Sequence, residues 1–478
     1  SVQLDLDIPG VLQSLATETN LVISGSVLVP SASYRVILTA TGLDGSSSAE
    51  TFFEVNSPPS GGAVSVSPVA GTSLETNFTV LGTDWQDEDL PLAYQYTCEL
   101  ESGTFVLTNV VPRANITTTL PPGPQEADVP GRYEISLHVI DSYAAKAVAQ
   151  ERVTVKPYET LDWASDTEQK IQDVVDRDLP MLIHSIGIRL NQIDLSFENA
   201  SDPAIVALQE GITKAREVSV VTLMKTATRL PAVDDTLAGT FFSAFRELSQ
   251  EADMMTQNAT TSALQAIQSL VDGQALLSDE SATAVTTAVS NLLASGTQGT
   301  NADANQASMA ALQVMDSVSQ RIAARLVPGE REVTVSTAQI ELTIQKLKSS
   351  SLRDKTLADG RVTLPASLLS ATEDDLSLAA VLWQRSPFTF TTRDDASRRT
   401  LADAPAAHSD IHLSTRVLSV DVLSSSGTVV LDDLDSPFII SLPIDGAPSN
   451  EWNMKPVNCT KVPCANQYDA AHGSGQCH

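Results

Sequence analysis

The sequence predicts a multidomain protein of the β + α class, in which β-sandwiches are followed by a helical bundle and then by a further β-sandwich. Apolar residues alternate with a period of two up to Pro157, recur with a period near 3.6 from Thr160 to Val327, and alternate again from Glu330. A period of two is typical of strands with one buried face, and a period of 3.6 is typical of amphipathic helices. A chain of 478 residues is also too long for a single hydrophobic core. We therefore predict four domains, at residues 1–57, 58–157, 158–329 and 330–478.

The first two domains end in the same pattern: an alternating strand that begins with a tyrosine, a short turn and a last apolar strand. The pattern starts at Tyr34 in residues 1–57 and at Tyr133 in residues 58–157. The second stretch has the usual length of one sandwich, about 100 residues. This internal repeat predicts tandem immunoglobulin-like or fibronectin-like β-sandwiches, of which the first is partial. We expect both tyrosines to pack in the core or at a corner of the sandwich.

Helix signals fill residues 158–329. Pro180 is expected to kink the first apolar stripe or to mark a break in it. Asp202 and Pro203 have the order of a cap followed by proline at the first helical position, and Ser278 is a second candidate cap. The last stripe stops before Pro328 and Gly329. The pattern predicts a bundle of four to six helices.

Residues 330–478 return to the strand period and end in a cluster of cysteines. The predicted strands lie at 333–335, 340–344, 361–365, 379–383, 412–422, 427–431 and 437–443. The cluster holds the disulfide candidates Cys459, Cys464 and Cys477, whose spacing does not match a structural zinc site.

The composition argues against nucleic acid as a partner. The chain has 29 basic and 59 acidic residues and a formal net charge of −30, whereas phosphate binding needs a basic surface. No apolar run reaches the roughly 18 to 20 residues that span a bilayer. Because the chain opens inside a strand-like pattern without a signal peptide, we expect a piece of a larger precursor, with any membrane anchor outside this segment.

A long ordered motif from Asn56 to Tyr96 resembles the REJ (receptor for egg jelly) region of polycystin-type surface proteins. It contains the turn block Pro58, Pro59, Gly61 and Gly62, a threonine-containing strand at 78–81, and an acidic run from Trp85 through Leu90-Pro91-Leu92 to Tyr94. The resemblance implies an extracellular module, with Trp85 in a structural position.

The order of a helical bundle, a β-sandwich and a cysteine cluster is similar to the GAIN domain and its GPS motif, in which adhesion receptors and polycystins undergo autoproteolysis. The tripeptide His412-Leu413-Ser414 matches the family's scissile site. Cleavage there would need His412 to activate the Ser414 hydroxyl for attack on the Leu413 carbonyl. The tripeptide lies well before the cysteines, and the expected tryptophan spacing is missing. An ordinary strand residue is therefore the favoured interpretation.

Two kinds of modification or ligand site are predicted. The carboxylates of Asp84, Asp87, Glu88 and Asp89 could hold Ca²⁺, although a solvated turn explains the same run and is favoured. A similar run contains Asp432, Asp433 and Asp435. Five Asn-x-Ser/Thr sequons indicate N-glycans and the secretory route: Asn77, Asn115, Asn199, Asn258 and Asn458.

No sequence motif argues for an enzyme, since the phosphate-binding, dinucleotide, zinc-protease and serine-elbow patterns are absent and the six histidines do not cluster. We expect an extracellular segment of a REJ/polycystin-type surface protein, on the plasma or ciliary membrane or secreted, acting in adhesion, ligand binding or mechanosensing. Protein or carbohydrate ligands are the expected partners. One alternative is a subunit of an extracellular filament or matrix, and another is a self-cleaving receptor ectodomain.

Overall fold

The computed structural model describes most of the chain up to residue 347 and short segments beyond it. The described residues are 4–6, 8–14, 20–43, 45–100, 103–108, 110–124, 129–160, 162–172, 174–176, 178–193, 202–230, 233–294, 301–347, 356–357, 362–363, 376–384, 417–424, 427–428 and 439–440.

The described residues confirm a mixed β and α fold. The strands are β1 (Ser33–Gly42), β2 (Gly45–Glu54), β3 (Ala63–Ser67), β4 (Ala70–Thr72), β5 (Asn77–Thr83), β6 (Ala93–Leu100), β7 (Gly103–Val106), β8 (Asn115–Thr119), β9 (Arg132–Ile140), β10 (Lys146–Lys156), β11 (Val333–Ser336), β12 (Ile340–Leu347), β13 (Thr356–Leu357), β14 (Val362–Thr363), β15 (Leu376–Trp383), β16 (Val417–Ser424), β17 (Gly427–Thr428) and β18 (Ile439–Ile440). The helices are α1 (Trp163–Gln172), α2 (Leu179–Asn191), α3 (Pro203–Arg229), α4 (Asp235–Ser249), α5 (Gln257–Asp272), α6 (Asp279–Ala294) and α7 (Asn301–Arg325).

The chain divides into two compact units. The first contains residues 1–219 and 236–248, and the second contains residues 220–235 and 249–478. This division places α1, α2 and most of α4 with the β-rich residues, and it differs from the four domains predicted from the sequence. The four boundaries stay a prediction.

Two sheets of the first unit share one hydrophobic core. One has the strand order β3-β5-β8 and the other has the order β4-β10-β9-β6-β7. The short strand β4 pairs with β10 in parallel, and the neighbouring pairs β9–β10 and β6–β9 are antiparallel. Buried and exposed residues alternate strictly along β5, and Phe78, Tyr96 and Leu137 at the centre of the core are fully buried.

The β1–β2 hairpin forms a separate two-stranded sheet. Its register runs from Ser33 opposite Glu54 to Gly42 opposite Gly45. Tyr34 is half-buried and stacks on Phe53, with ring centroids 5.4 Å apart. Tyr133, its counterpart in the repeat, is 6% exposed and donates a hydrogen bond to the Pro121 carbonyl at 3.0 Å. The prediction of core packing is therefore confirmed for Tyr133.

Helices α1 and α2 pack on the edge of the β-rich core within the first unit. Leu74, in the turn after β4, lies in one apolar cluster with Trp163, Leu182 and Ile186. The Lys170 ammonium group donates to the Leu74 carbonyl at 3.1 Å and lies 4.2 Å from the centre of the Tyr158 ring. These contacts join the helices to the turn between β4 and β5.

The helix signals read from the sequence correspond to real helix ends. Helix α3 begins at Pro203, and the Asp202 carboxylate accepts a hydrogen bond from the Ala204 amide at 2.9 Å. The Ser278 hydroxyl accepts from the Ser281 amide at the start of α6. Pro180 lies in the first turn of α2, so it marks the start of a helix.

The second unit combines helices with two small sheets. Their strand orders are β11-β12-β15-β16-β17 and β13-β14-β18. Strand β15 is buried along its whole length and lies between β12 and β16. None of the helices in the described part of the chain is long and apolar enough to cross a membrane.

Candidate cation site

Three carboxylates of the first unit converge beside the end of β9. Asp87 and Asp89 lie in the loop between β5 and β6, and Asp141 lies in the turn between β9 and β10. Each offers one carboxylate oxygen, and the three oxygens all lie within 4.8 Å of one another. Within the described residues, this is the one converging group of three or more histidine, cysteine, aspartate or glutamate side chains.

Local hydrogen bonds hold the two loops in place. The Asp89 amide donates to the Asp87 carboxylate at 2.7 Å, which is the short-range turn that aspartate favours. The Asp89 carbonyl accepts from the Ser142 amide at 3.1 Å, so the two loops are bonded directly to each other. The resulting arrangement fixes Asp87 and Asp89 relative to the turn that carries Asp141.

Asp141 is the buried member of the group, with 5% of its surface exposed. One of its carboxylate oxygens accepts from the amides of Tyr143 and Ala145 at 2.9 and 3.0 Å. The other accepts from the Asn56 side-chain amide at 2.6 Å. Asn56 lies between β2 and β3, so the group connects that segment with both loops.

Desolvation and the neighbouring negative charges raise the pKa of Asp89 above its ordinary value. Desolvation contributes most, followed by the neighbouring charges of Asp87, Asp141 and Glu88. A divalent cation would offset this repulsion, and Ca²⁺ prefers six to eight oxygen ligands in flexible geometry. Three carboxylates supply part of such a shell, and water would complete it.

The sequence identified only part of this group. Asp87 and Asp89 belong to it, whereas Asp84 and Glu88 are exposed and lie outside it. Asp84 has a positive φ of 61°, typical of an aspartate that turns the chain. The sequence places Asp141 in the short turn after the Tyr133 strand, and its approach to the acidic loop depends on the pairing of β6 with β9. The alternating apolar pattern in the strands that contain Tyr94 and Tyr133 is the sequence signal that could have suggested the pairing of β6 with β9.

Trp85 has the structural position that the resemblance implied. Its ring packs against the shared core of the two sheets. A Cβ added at Gly62 would lie 2.2 Å from the ring, so the second glycine of the turn block leaves the space that the indole occupies. Within this motif, the acidic loop and the glycine turn are thus held against each other by the tryptophan.

A second cluster of polar groups is buried among α2, α3 and α4 of the first unit. The Arg216 guanidinium, 1% exposed, donates to the Leu248 carbonyl at 2.6 Å and to the Asn191 side chain at 2.7 Å. Asn191 in turn donates to the Glu247 carboxylate at 3.2 Å. Glu247 also pairs with Arg246 at 3.0 Å. Asn191, Arg216 and Glu247 are far apart along the chain, so no local sequence pattern predicts this cluster.

His184 on α2 is the titratable group beside this cluster. It is fully buried, and its Nε2 atom lies 3.8 Å from the Glu247 carboxylate, which is longer than a hydrogen bond. The Phe105 ring meets it edge-on, with centroids 4.0 Å apart. Burial lowers the pKa of His184, although Glu247 opposes that shift. The imidazole is therefore neutral at physiological pH.

The remaining predicted positions divide between described and undescribed residues. Asn77, Asn115 and Asn258 are exposed. Cys98 is a buried free thiol, and burial raises its pKa well above the ordinary value. The positions outside the described residues are Asn199, Asn458, His412, Leu413, Ser414, Asp432, Asp433, Asp435, Cys459, Cys464 and Cys477.

Comparison with known proteins identifies one family over part of the chain. Residues 9–183 match the family model described as REJ domain, which confirms the predicted resemblance for these residues. Among solved structures, the native conformation of E. coli alpha-2-macroglobulin aligns with 74% of this chain at 11% identity and a TM-score of 0.12. The chain spans 34% of that structure, and so low a score does not establish a shared fold.

Proposed function

We propose, on the basis of the REJ domain over residues 9–183, that the chain is an extracellular segment of a REJ/polycystin-type cell-surface membrane protein. It acts in adhesion, ligand binding or mechanosensing and catalyses no reaction. Protein or carbohydrate ligands outside the cell are its partners, and a membrane anchor lies outside the segment. The location is the extracellular face of the plasma or ciliary membrane, or the secreted state.

The finer architecture forms part of this proposal. Residues 1–57 and 58–157 are immunoglobulin-like or fibronectin-like modules in tandem, and residues 158–478 are a GAIN-like bundle and sandwich. The shared core of the two sheets between Ala63 and Lys156 supports the sandwich interpretation. The hairpins β1–β2 and β9–β10 support the repeat, because both begin with an alternating strand that carries a tyrosine at its second position.

The cluster of three carboxylates adds a calcium-dependent component to the proposal. Asp87, Asp89 and Asp141 bring together segments that are distant along the chain, and Asn56 adds the segment that leaves β2. Ca²⁺ bound by these carboxylates stiffens the junction at the start of the β3–β10 module. An extracellular protein encounters millimolar calcium, which suits sites with dissociation constants of about 10⁻⁴ to 10⁻³ M.

Surface labelling of the native cells tests the proposed location. Antibodies against residues 9–183 are expected to label intact cells, and protease added outside those cells is expected to remove the labelling. An antibody against a cytosolic protein is the control for membrane integrity. Labelling that occurs only after the membrane is permeabilised would overturn the proposal.

The filament alternative has a separate test. In that alternative, modules of different copies assemble end to end in the matrix. Sedimentation of the protein extracted from its native source distinguishes the two, because a surface receptor segment sediments as one discrete species and a filament subunit sediments as a polymer series.

The self-cleaving alternative is tested by intact mass. Cleavage between Leu413 and Ser414 yields two fragments, and the Ser414→Ala variant, which lacks the attacking hydroxyl, remains whole. We expect a single uncleaved chain in both proteins. Two fragments in the wild type alone would favour the self-cleaving alternative over the non-catalytic one.

A further inference from the structure

The outer face of the β3-β5-β8 sheet has an unusual composition for a solvent face. Strand alternation places one set of side chains on the core and the other outside. The outer set contains no charged residue, in a chain of which 18% is charged. Its members are Ala63, Ser65, Ser67, Asn77, Thr79, Leu81, Thr83, Asn115, Thr117 and Thr119.

The same face is also poor in apolar side chains. Leu81, 40% exposed, is the one large apolar residue in this set. Protein interfaces usually have an apolar or aromatic centre, and solvent-facing surfaces usually carry charged residues of both signs. A surface of hydroxyl, amide and methyl groups fits neither description. It suits a covering that is uncharged and rich in hydrogen-bonding groups.

Two sequons lie on this face, on adjacent strands. Asn77 and Thr79 belong to β5, and Asn115 and Thr117 belong to β8. The register pairs Thr79 with Thr117, and the hydroxyls of these two residues are 3.1 Å apart. Asn77 lies opposite Thr119 and Asn115 lies opposite Leu81. The two asparagines are therefore offset by four residues, a separation of about 14 Å from the rise of a strand and the spacing between strands.

We propose that the outer face of the β3-β5-β8 sheet carries N-glycans on both Asn77 and Asn115 and is shielded by them from protein partners. The side-chain amide nitrogen of each asparagine forms a bond to the anomeric carbon of N-acetylglucosamine. The bond from that carbon to the diphosphate of a lipid-linked oligosaccharide donor breaks, and the amide proton leaves with the diphosphate. No oxidant or reductant takes part. The proposal rests on the proposed extracellular function, because this chemistry belongs to the secretory route.

The dimensions of the face explain the shielding. A protein partner of standard size covers about 800 Å² on each side of an interface, which corresponds to a patch roughly 30 Å across. Two attachment points about 14 Å apart lie well inside such a patch. A protein docked on this sheet would therefore have to displace at least one glycan. Partners of the first unit are left with its other surfaces.

Secretion of the full chain from eukaryotic cells, followed by glycopeptide mapping, tests the attachment. Enzymatic release of N-glycans in ¹⁸O-water marks each asparagine that carried one. We expect both Asn77 and Asn115 to be marked. Thr79→Ala and Thr117→Ala each remove one sequon and are expected to abolish the mark at the corresponding asparagine, whereas Thr79→Ser and Thr117→Ser retain the sequon and the mark.

Shielding has its own measurement. A Leu81→Cys variant places a thiol on the face, and its reaction with a maleimide-coupled protein is followed by mapping position 81. We expect the reaction to become several-fold faster after the glycans are removed. An unchanged rate would overturn the shielding.

A glycan on Asn258 distinguishes failure of the glycan proposal from failure of the proposed extracellular function. This exposed sequon lies on α5, in the second unit, and is not part of the sheet. Secretion with a glycan on Asn258 but none on Asn77 or Asn115 would overturn the glycan face and leave the extracellular function standing. A mark on only one of the two asparagines would overturn the paired arrangement. Failure of the chain to be secreted would overturn both proposals.

Discussion

At the scale of single residues, Gly187 determines how closely α2 approaches α4. A Cβ at this position would lie 2.9 Å from the Glu247 Cβ atom, inside the distance that real Cβ atoms keep. Gly187→Ala is expected to push Glu247 away from Asn191 and to destabilise the first unit by about 1–3 kcal/mol. Chemical denaturation followed by circular dichroism measures the loss.

Gly211→Ala is the matched control for that substitution. Gly211 lies in α3, and apart from the adjacent backbone of its own helix no atom lies within 4 Å of a Cβ built there. Alanine lowers the conformational freedom of the unfolded helix, so the control should be neutral or stabilising by up to about 1 kcal/mol. Equal losses in the two variants would contradict the steric argument.

His184 gives the first unit a dependence on pH. It faces Glu247 and Arg246 from α4 and Phe105 from β7, and burial lowers its pKa from 6.5. The unfolded chain therefore binds more protons than the folded chain below about pH 6.5, so stability is present above that pH and falls as the pH drops through it. In His184→Gln, the protection of α2 amides, corrected for their intrinsic exchange rates, should fall less between pH 6.5 and pH 5 than in the wild type. An identical pH profile would contradict this role.

At the scale of loops and strands, calcium binding by the cluster of Asp87, Asp89 and Asp141 can be tested by thermal unfolding. Calcium at 100 times its dissociation constant stabilises a folded protein by about 2.7 kcal/mol. We expect a rise in melting temperature with calcium in the wild type and its loss in the double variant Asp87→Asn/Asp89→Asn.

The chain supplies a control of the same charge for this experiment. Asp84→Asn/Glu88→Gln also removes two carboxylates from the loop, but neither residue belongs to the group. This variant should keep the calcium response. A wild type that shows no calorimetric heat with calcium, or a response that survives in Asp87→Asn/Asp89→Asn, would show that the group is a solvated turn.

Helix α7 and strand β16 of the second unit carry two carboxylates of like charge. Desolvation, and then the charge of Asp421, raises the pKa of Asp316 to about 6. Desolvation also raises the pKa of Asp421. Because the folded pKa lies above the ordinary 3.8, the contribution of Asp316 is fully present at low pH and is lost as the pH rises through about 6.

Asp316→Asn should therefore raise the melting temperature of the second unit at pH 7 and change it little at pH 4. The measurement at pH 4 serves as the control, because any effect of the amide that is unrelated to charge should be the same at both pH values. A gain that is the same at both pH values would contradict the electrostatic explanation.

The sequence predicts the structure where the controlling interactions are local. The helix start at Asp202 and Pro203 and the cap at Ser278 depend on neighbours within four residues, and both were predicted. Asp141, Arg216 and Glu247 were not, because their partners are distant along the chain and their positions depend on how strands pair and helices pack. Arg216 and Glu247 are charged residues inside helices. The apolar periodicity that predicts those helices therefore does not indicate that the two residues share a network.

At the scale of the whole molecule, the family match ends inside a helix. Residue 183 lies within α2, whereas Ile186 and Leu190 of the same apolar cluster lie beyond it. The first unit also includes residues 236–248. A fragment of residues 1–249 should therefore unfold cooperatively, whereas a fragment of residues 1–183 should lose that cooperativity.

Thermal unfolding by calorimetry measures the difference, and a fragment of residues 1–157 completes the series. In that fragment, Leu74 loses the side chains of Trp163 and Leu182 that cover it. If residues 1–157 melt as cooperatively as residues 1–249, the boundary predicted from the change of period at Pro157 describes the stable domain and the larger unit does not.

The parallel pairing of β4 and β10 affects how the β-rich core would respond to mechanical force. Strand β4 lies near the beginning of this module and β10 at its end, and they pair over Ala70–Thr72 and Thr154–Lys156. Tension applied to the two ends of the module would pull these strands past each other in opposite directions. Their hydrogen bonds would then bear the load side by side and would have to break together. The pairing therefore acts as a clamp against stretching, at the point where the chain leaves the sheets for the helices.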